Sequence, residues 1–207
     1  PSRASVFTGV HPLVHQVICH QNRAPDNLPQ LSELLDREGY YTVVVGHYEH
    51  DRELTRGWHE QIDFREDGPV ADAFQRWYSH GDSEVGWSSG TLEYPPEHGH
   101  AHRLVSRAVD TLSGIESTDA PYFLHLALLE AHPPYFASPP YDTLVHADTV
   151  ALPAQGGSGR PEWQAVAREQ LGTEKATEND ITKLVAVYLG MLAYADAQLH
   201  RLYEEMG

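Results

Sequence analysis

Twice along this chain an amphipathic run gives way to a short, unbroken apolar run, and that alternation constrains the fold more than any other feature. Leu28, Leu31, Leu34 and Leu35 share one face of a helix expected over 28–37, which stops at Gly39, a natural helix C-terminus. Tyr40 to Val45 follows at once, rich in β-branched and aromatic residues, and closes at Gly46. A strand without polar alternation must be covered on both faces, as in a parallel sheet between helical layers. The order returns downstream. Ala101, Leu104, Val105, Ala108, Val109 and Leu112 mark a helix over about 100–115, and Tyr122 to Leu128 is a second continuous apolar strand. A last helix, capped by Asn179 or Asp180, carries Ile181, Leu184, Val185, Tyr188, Leu192, Ala195, Leu199 and Leu202. The reading is one α/β domain, because no internal repeat or linker divides the sequence.

Two polar stretches interrupt this pattern. Residues 47–100 read as a surface excursion near a substrate, and 136–178 as a long loop with short helices, punctuated by Pro139-Pro140 and Gly156-Gly157. The net charge of −16 argues against a nucleic-acid surface, and no run of apolar residues is long enough to span a membrane. An anionic ligand would be repelled at long range, so an anion site needs local Arg, His or metal charge. Cys19 is the single cysteine and reads as an ordinary, partly buried thiol. His11, His15, His20, His98, His100 and His102 read as solvated loop residues rather than zinc ligands, since no His-x-x-x-His sits on a convincing helix.

In an open α/β sheet, ligands bind beyond the carboxyl ends of the strands. His47 follows the first strand and His132 follows the second. Pro1-Ser2-Arg3 reads as the first turn of a helix, where proline is tolerated and Arg3 could hold an anion through charge-assisted hydrogen bonds.

Pro1-Ser2-Arg3, followed by Thr8-Gly9, resembles the signature of the sulfatase family, in which a Cys or Ser two residues before the Pro becomes formylglycine. The resemblance continues patchily along the chain. Asn27 to Leu31 and Gly39 to Thr42 are similar to a leucine-rich family helix leading into Gly-Tyr-x-Thr, and Arg56-Gly57-Trp58-His59 to the family's Arg-Gly-Phe-Asp turn. Pro121 to Leu126 and His132-Pro133-Pro134-Tyr135 resemble the strand that ends in an active-site His, and 188–199 resembles the helix before a metal-ligand strand. Where the family shows Gly-Lys-Trp-His, this chain has Gly46-His47-Tyr48-Glu49-His50. His47 stands in the Lys position and Glu49 in that of the His, with His50 beside it.

The resemblance implies an alkaline-phosphatase-like three-layer αβα sandwich, with residues 1–207 as the central portion of a catalytic domain truncated at both ends. It implies a sulfuric ester hydrolase acting on a small-molecule or carbohydrate sulfate ester. Arg3, His47 and His132 would be catalytic, with Glu49 and His50 binding substrate. A formylglycine nucleophile and a divalent cation, Ca2+ or Mg2+, are implied as well, with the nucleophile and the metal ligands outside this chain, so that this segment alone is expected to be inactive. The alternatives are a phosphonate monoester or phosphodiester hydrolase of the same superfamily, or a non-catalytic sulfatase-like binding protein.

Overall fold

The computed structural model describes residues 1–19, 22–46, 56–62, 89–115, 120–152, 159, 161–170 and 172–206. These belong to two compact units, 1–65 with 104–129 and 202–207, and 66–103 with 130–201. Three of the four crossings from one unit to the other, after 103, 129 and 201, fall inside or beside regular structure rather than in a polar linker, so the division leaves no mark in composition.

The first unit contains α1 (Ser2–Thr8), α2 (Pro12–His15), α3 (Leu31–Arg37), β1 (Tyr41–Gly46), β2 (Glu60–Ile62) and β4 (Tyr122–Ala127), with most of α4 (His100–Ile115). The strands form a parallel sheet in the order β2-β1-β4. Tyr41 pairs with Tyr122 and Gly46 with Ala127, so β1 and β4 end level with each other.

Strand alternation explains the layers. Val43 and Val45 of β1 and Leu124 and Leu126 of β4 face Leu104, Val105, Ala108, Leu112 and Ile115, the apolar stripe of α4. The opposite face presents Phe123 and His125, against which Phe7 of α1 packs, with ring centroids 6.4 and 5.0 Å apart. Trp58 stacks on Phe123 at 5.5 Å. Helix, sheet and helix are therefore stacked as an α/β sandwich, as the sequence pattern requires.

Helix α3 begins at Leu31 rather than Leu28, because Pro29 disfavours a helical residue before it. Its first turn is closed by a capping box between Gln30 and Glu33. Its end is a Schellman turn. The Gly39 amide (φ +85°) donates to the Asp36 carbonyl and the Tyr40 amide to that of Leu35, both at 3.0 Å.

The second unit holds β3 (Ser89–Thr91), β5 (Tyr135–Ala137), α5 (Glu162–Gln170) and most of α6 (Glu178–Glu205). Strands β3 and β5 pair in parallel. The cap of α6 is Thr177, not Asn179 or Asp180. Thr177 Oγ1 accepts from the Asp180 amide at 3.2 Å while Asp180 Oδ2 accepts from the Thr177 amide at 2.9 Å, and the bonds from Thr177 hold the Asp180 carboxyl below its ordinary pKa.

The buried seam of α6 also differs from the leucine face read from sequence. Ala186, Gly190, Met191, Tyr194 and Gln198 are buried, whereas Leu192 and Leu199 are exposed. The reason is close approach: a Cβ at Gly190 would run into the Tyr141 carbonyl, so the helix packs through its small residues. Among the described residues, no helix is long and apolar enough to cross a membrane.

Candidate functional site

Arg3 lies in the first turn of α1 with its side chain exposed. A seven-residue helix has little stability of its own, and α1 has no side-chain cap at its start. Burial holds it against the rest of the unit instead. Ala4 and Phe7 are each 4% exposed, Ala4 against Val17 and Ala24, and Gly9 closes the helix in the left-handed conformation at φ +69°. Arg3 thus projects from a helix anchored on one face.

The chain then folds back. His11 caps α2 by accepting from the Leu13 amide at 3.3 Å, and Gln16 ends it at φ +59°. This brings His15 against α1, where Ser5 Oγ and His15 Nε2 are 2.9 Å apart. His15 is fully buried. The expectation of solvated loop histidines fails here, at His100, which is also buried, and at His102, half-buried in the first turn of α4; His11 and His98 are exposed, and His20 lies outside the described residues. The loop sequence around His15 resembles a surface turn, and only its contact with α1 removes it from water.

His132 sits in the turn after β4, in the second unit, and is exposed. Its Nδ1 lies 2.6 Å from the Pro133 carbonyl oxygen, which can only accept, so Nδ1 carries a proton and Nε2 is the nitrogen able to exchange one. Ala131 reaches φ +73°, and Glu130 Oε1 accepts from the Ala101 amide at 2.6 Å, tying this turn to the first turn of α4. The His100 ring stands 3.8 Å from the other Glu130 oxygen.

His47, Glu49 and His50 lie outside the described residues. Strand β1 ends at Gly46, the residue before His47. A Cβ at Gly46 would collide with the Ala127 backbone, so the two strand ends approach as closely as backbone allows. Arg3 belongs to the first unit and His132 to the second, each placed by the contacts of its own unit.

One arrangement mimics a catalytic relay. Asp36 Oδ1 lies 3.4 Å from His59 Nε2, and His59 Nδ1 lies 2.9 Å from Thr42 Oγ1. Thr42 is fully buried and its hydroxyl donates to the Gly57 carbonyl at 2.6 Å, so it has no access to a substrate. The group is structural. It ties the 56–59 turn to β1, while Arg56 donates to the Asp26 and Leu28 carbonyls at 2.8 and 2.6 Å and pairs with Glu33.

In the second unit, His102 is held below its ordinary pKa by burial and by the Arg201 guanidinium, whose Nη1 is 2.7 Å from Nδ1. It is therefore neutral at physiological pH. Cys19 is partly buried, as expected, and its thiol donates to Asn22 Oδ1 at 3.2 Å.

Known proteins share both the sequence pattern and this architecture. The sequence pattern of the sulfatase family matches residues 1–206. The multifunctional alkaline phosphatase superfamily protein PehA of Trinickia caryophylli is 24% identical over 256 residues, covering 98% of this chain and 48% of that protein. Two solved structures share the fold. The phosphonate monoester hydrolase of Agrobacterium radiobacter aligns with a TM-score of 0.74 at 19% identity, covering 100% of this chain and 49% of that one. The phosphonate monoester hydrolase SpPMH from Silicibacter pomeroyi aligns with a TM-score of 0.75 at 22% identity, with coverage of 100% and 49%. The chain spans about half the length of these relatives.

Proposed function

The chain belongs to the sulfatase family, and from that premise we propose that it is part of a hydrolase that cleaves sulfate esters, with Arg3 and His132 acting at the reacting group. The observation that carries this reading is the placement of Arg3: an exposed guanidinium in the first turn of a helix whose other face is buried. A sulfate ester presents a delocalised negative charge on planar pairs of oxygens. A guanidinium fork matches that geometry, and its charge is present at every relevant pH. In a chain of net charge −16, such a local cation is what an anionic substrate requires.

His132 supplies the proton chemistry. With Nδ1–H held by the Pro133 carbonyl, a protonated ring would deliver the Nε2 proton to the departing alcohol oxygen, and a neutral ring would take one back. By sequence position, His47 would complete the charge where the family has Lys, and Glu49 and His50 would bind substrate.

A formylglycine nucleophile and a divalent cation, Ca2+ or Mg2+, belong to this proposal through the family; the cation would supply positive charge against the ester oxygens. Among the described residues, no group of three or more His, Cys, Asp or Glu side chains is gathered to hold a cation. Within this chain, contact with the anion falls to Arg3 and proton transfer to His132.

A phosphonate monoester is a second reading. It carries a comparable single negative charge, and two of the solved relatives act on such esters by name. Steady-state kinetics of the full-length protein on an aryl sulfate and an aryl phosphonate monoester decide between them. Arg3→Ala and His132→Ala should each lower kcat/KM by about 100-fold or more on the true substrate class. A folded, metal-loaded protein that turns over neither ester refutes the hydrolase reading and leaves a non-catalytic binding role.

A further inference from the structure

We propose that His15, locked as one neutral tautomer, is a positioning residue that sets the pose of Arg3 through Ser5. His15 is 0% exposed, so both ring nitrogens need partners inside the protein. The Val17 amide lies 3.0 Å from Nδ1 and can only donate, so Nδ1 bears a lone pair and no proton. The ring proton is then on Nε2, which donates to Ser5 Oγ at 2.9 Å. The tautomer is thus fixed by a backbone amide.

Ser5 is where such a bond has leverage. Its amide donates to the Pro1 carbonyl at 3.0 Å and its carbonyl accepts from Gly9 at 2.9 Å, so Ser5 links the first and last turns of α1. Ala4 and Phe7 press the helix onto the unit through apolar and ring contacts at its buried face. The His15–Ser5 bond is directional. It lies two residues beyond Arg3 and comes from a separate element whose own orientation is fixed by the His11 cap and the left-handed turn at Gln16. His15 acts on Arg3 only through the helix.

The proposal rests on the reading that Arg3 contacts the reacting group, and its test separates the two. In 15N-labelled protein, the His15 imidazole should show the Nε2–H tautomer alone. An Nδ1–H signature overturns the proposal.

Three variants address the helix. His15→Asn keeps an acceptor for the Val17 amide and loses the donor to Ser5, His15→Gln places an amide donor near the lost Nε2–H, and Ser5→Ala removes the acceptor. Amide exchange at Ser5 to Gly9 should quicken about tenfold in His15→Asn and Ser5→Ala, the loss of one buried hydrogen bond, and recover in His15→Gln. Exchange in β1 and α4 should not change. Unaltered α1 exchange in His15→Asn overturns the proposal, as does equal acceleration throughout the unit.

In the full-length enzyme, kcat should fall in His15→Asn with KM nearly constant, and His15→Gln should restore it. If Arg3→Ala leaves turnover intact, the role given to Arg3 fails, and with it the claim that His15 acts through that residue. The tautomer and exchange results would still report the anchor itself.

Discussion

One of the opening amides of α4 is paired with a phenolic hydroxyl, and removing that hydroxyl is a sharp test of the second unit. Tyr194 is 9% exposed. Its hydroxyl donates to the Pro96 carbonyl at 2.7 Å and accepts from the His102 amide at 3.1 Å. His102 is in the first turn of α4, where amides have no partner within the helix. Tyr194→Phe keeps the ring and deletes both bonds. Water is a poor substitute, because Gly99 packs so closely that a Cβ there would strike the Tyr194 hydroxyl. Two buried partners left unpaired cost about 1–3 kcal/mol each, less what is recovered by no longer burying the hydroxyl, so the net loss is about 2–3 kcal/mol. With a urea dependence of about 2 kcal/mol/M, the unfolding midpoint should move down by about 1 M. The His102 amide should exchange faster in the same variant.

Tyr203→Phe is the matched control, since Tyr203 is 78% exposed, and should stay within about 0.5 kcal/mol of the parent. The comparison also has a pH signature. Burial raises the Tyr194 pKa above its ordinary 10.0, so the native phenol stays protonated while the unfolded one ionises. Its contribution is complete below about pH 10 and is lost as the pH rises beyond it. The gap between the parent and Tyr194→Phe should narrow in that alkaline window. A shift no larger than that of Tyr203→Phe, or a gap that widens with alkali, refutes the reasoning.

Three further outcomes follow from the same geometry. Gly57→Ala should cost more than about 2 kcal/mol in a thermal melt, because φ is +73° and the new Cβ would meet the backbone of Ser32 and Glu33; a neutral result excludes that packing. Leu104→Ala, at a fully buried site, should lose about 2–5 kcal/mol, whereas Leu13→Ala, 81% exposed in this chain, should change stability by under about 0.5 kcal/mol in the same urea titration. The depressed pKa of His102 means that the unfolded chain binds a proton first on acidification. Stability should therefore decline as the pH falls below the ordinary histidine value of 6.5, and the decline should be shallower in His102→Gln when midpoints are compared between about pH 5 and 8.

The candidate site was legible in proportion to how local its chemistry is. Arg3 and the turns around it follow from a contiguous motif, and its place in the first turn of α1 needed only Pro1 and the helical stretch behind it. The importance of His15 was not legible. Its neighbours Pro12, Leu13 and Val14 look like a solvated turn, and burial came from α2 folding back onto α1. The histidine at position 59 was visible only as part of a turn, and its contacts with Thr42 and Asp36 show it to be a tie between that turn and β1.

By itself, the sequence determined the layered α/β plan, because an unbroken apolar strand such as 41–46 or 122–127 has to be covered on both faces, and the neighbouring helical runs are the only local means of doing so. It also determined the stop at Gly39, where the turn needs a positive φ that glycine adopts without strain. Tertiary structure decided what periodicity cannot encode. The buried seam of α6 follows Gly190 and Tyr194 rather than Leu192 and Leu199, although Leu202 is buried, since approach of the Tyr141 carbonyl from a distant segment selects a small residue. The amides that open α4 are satisfied by Glu130 and Tyr194, both remote in sequence. A helix pattern records which face is apolar. Which polar groups are paired depends on chain segments that meet only once the fold has formed.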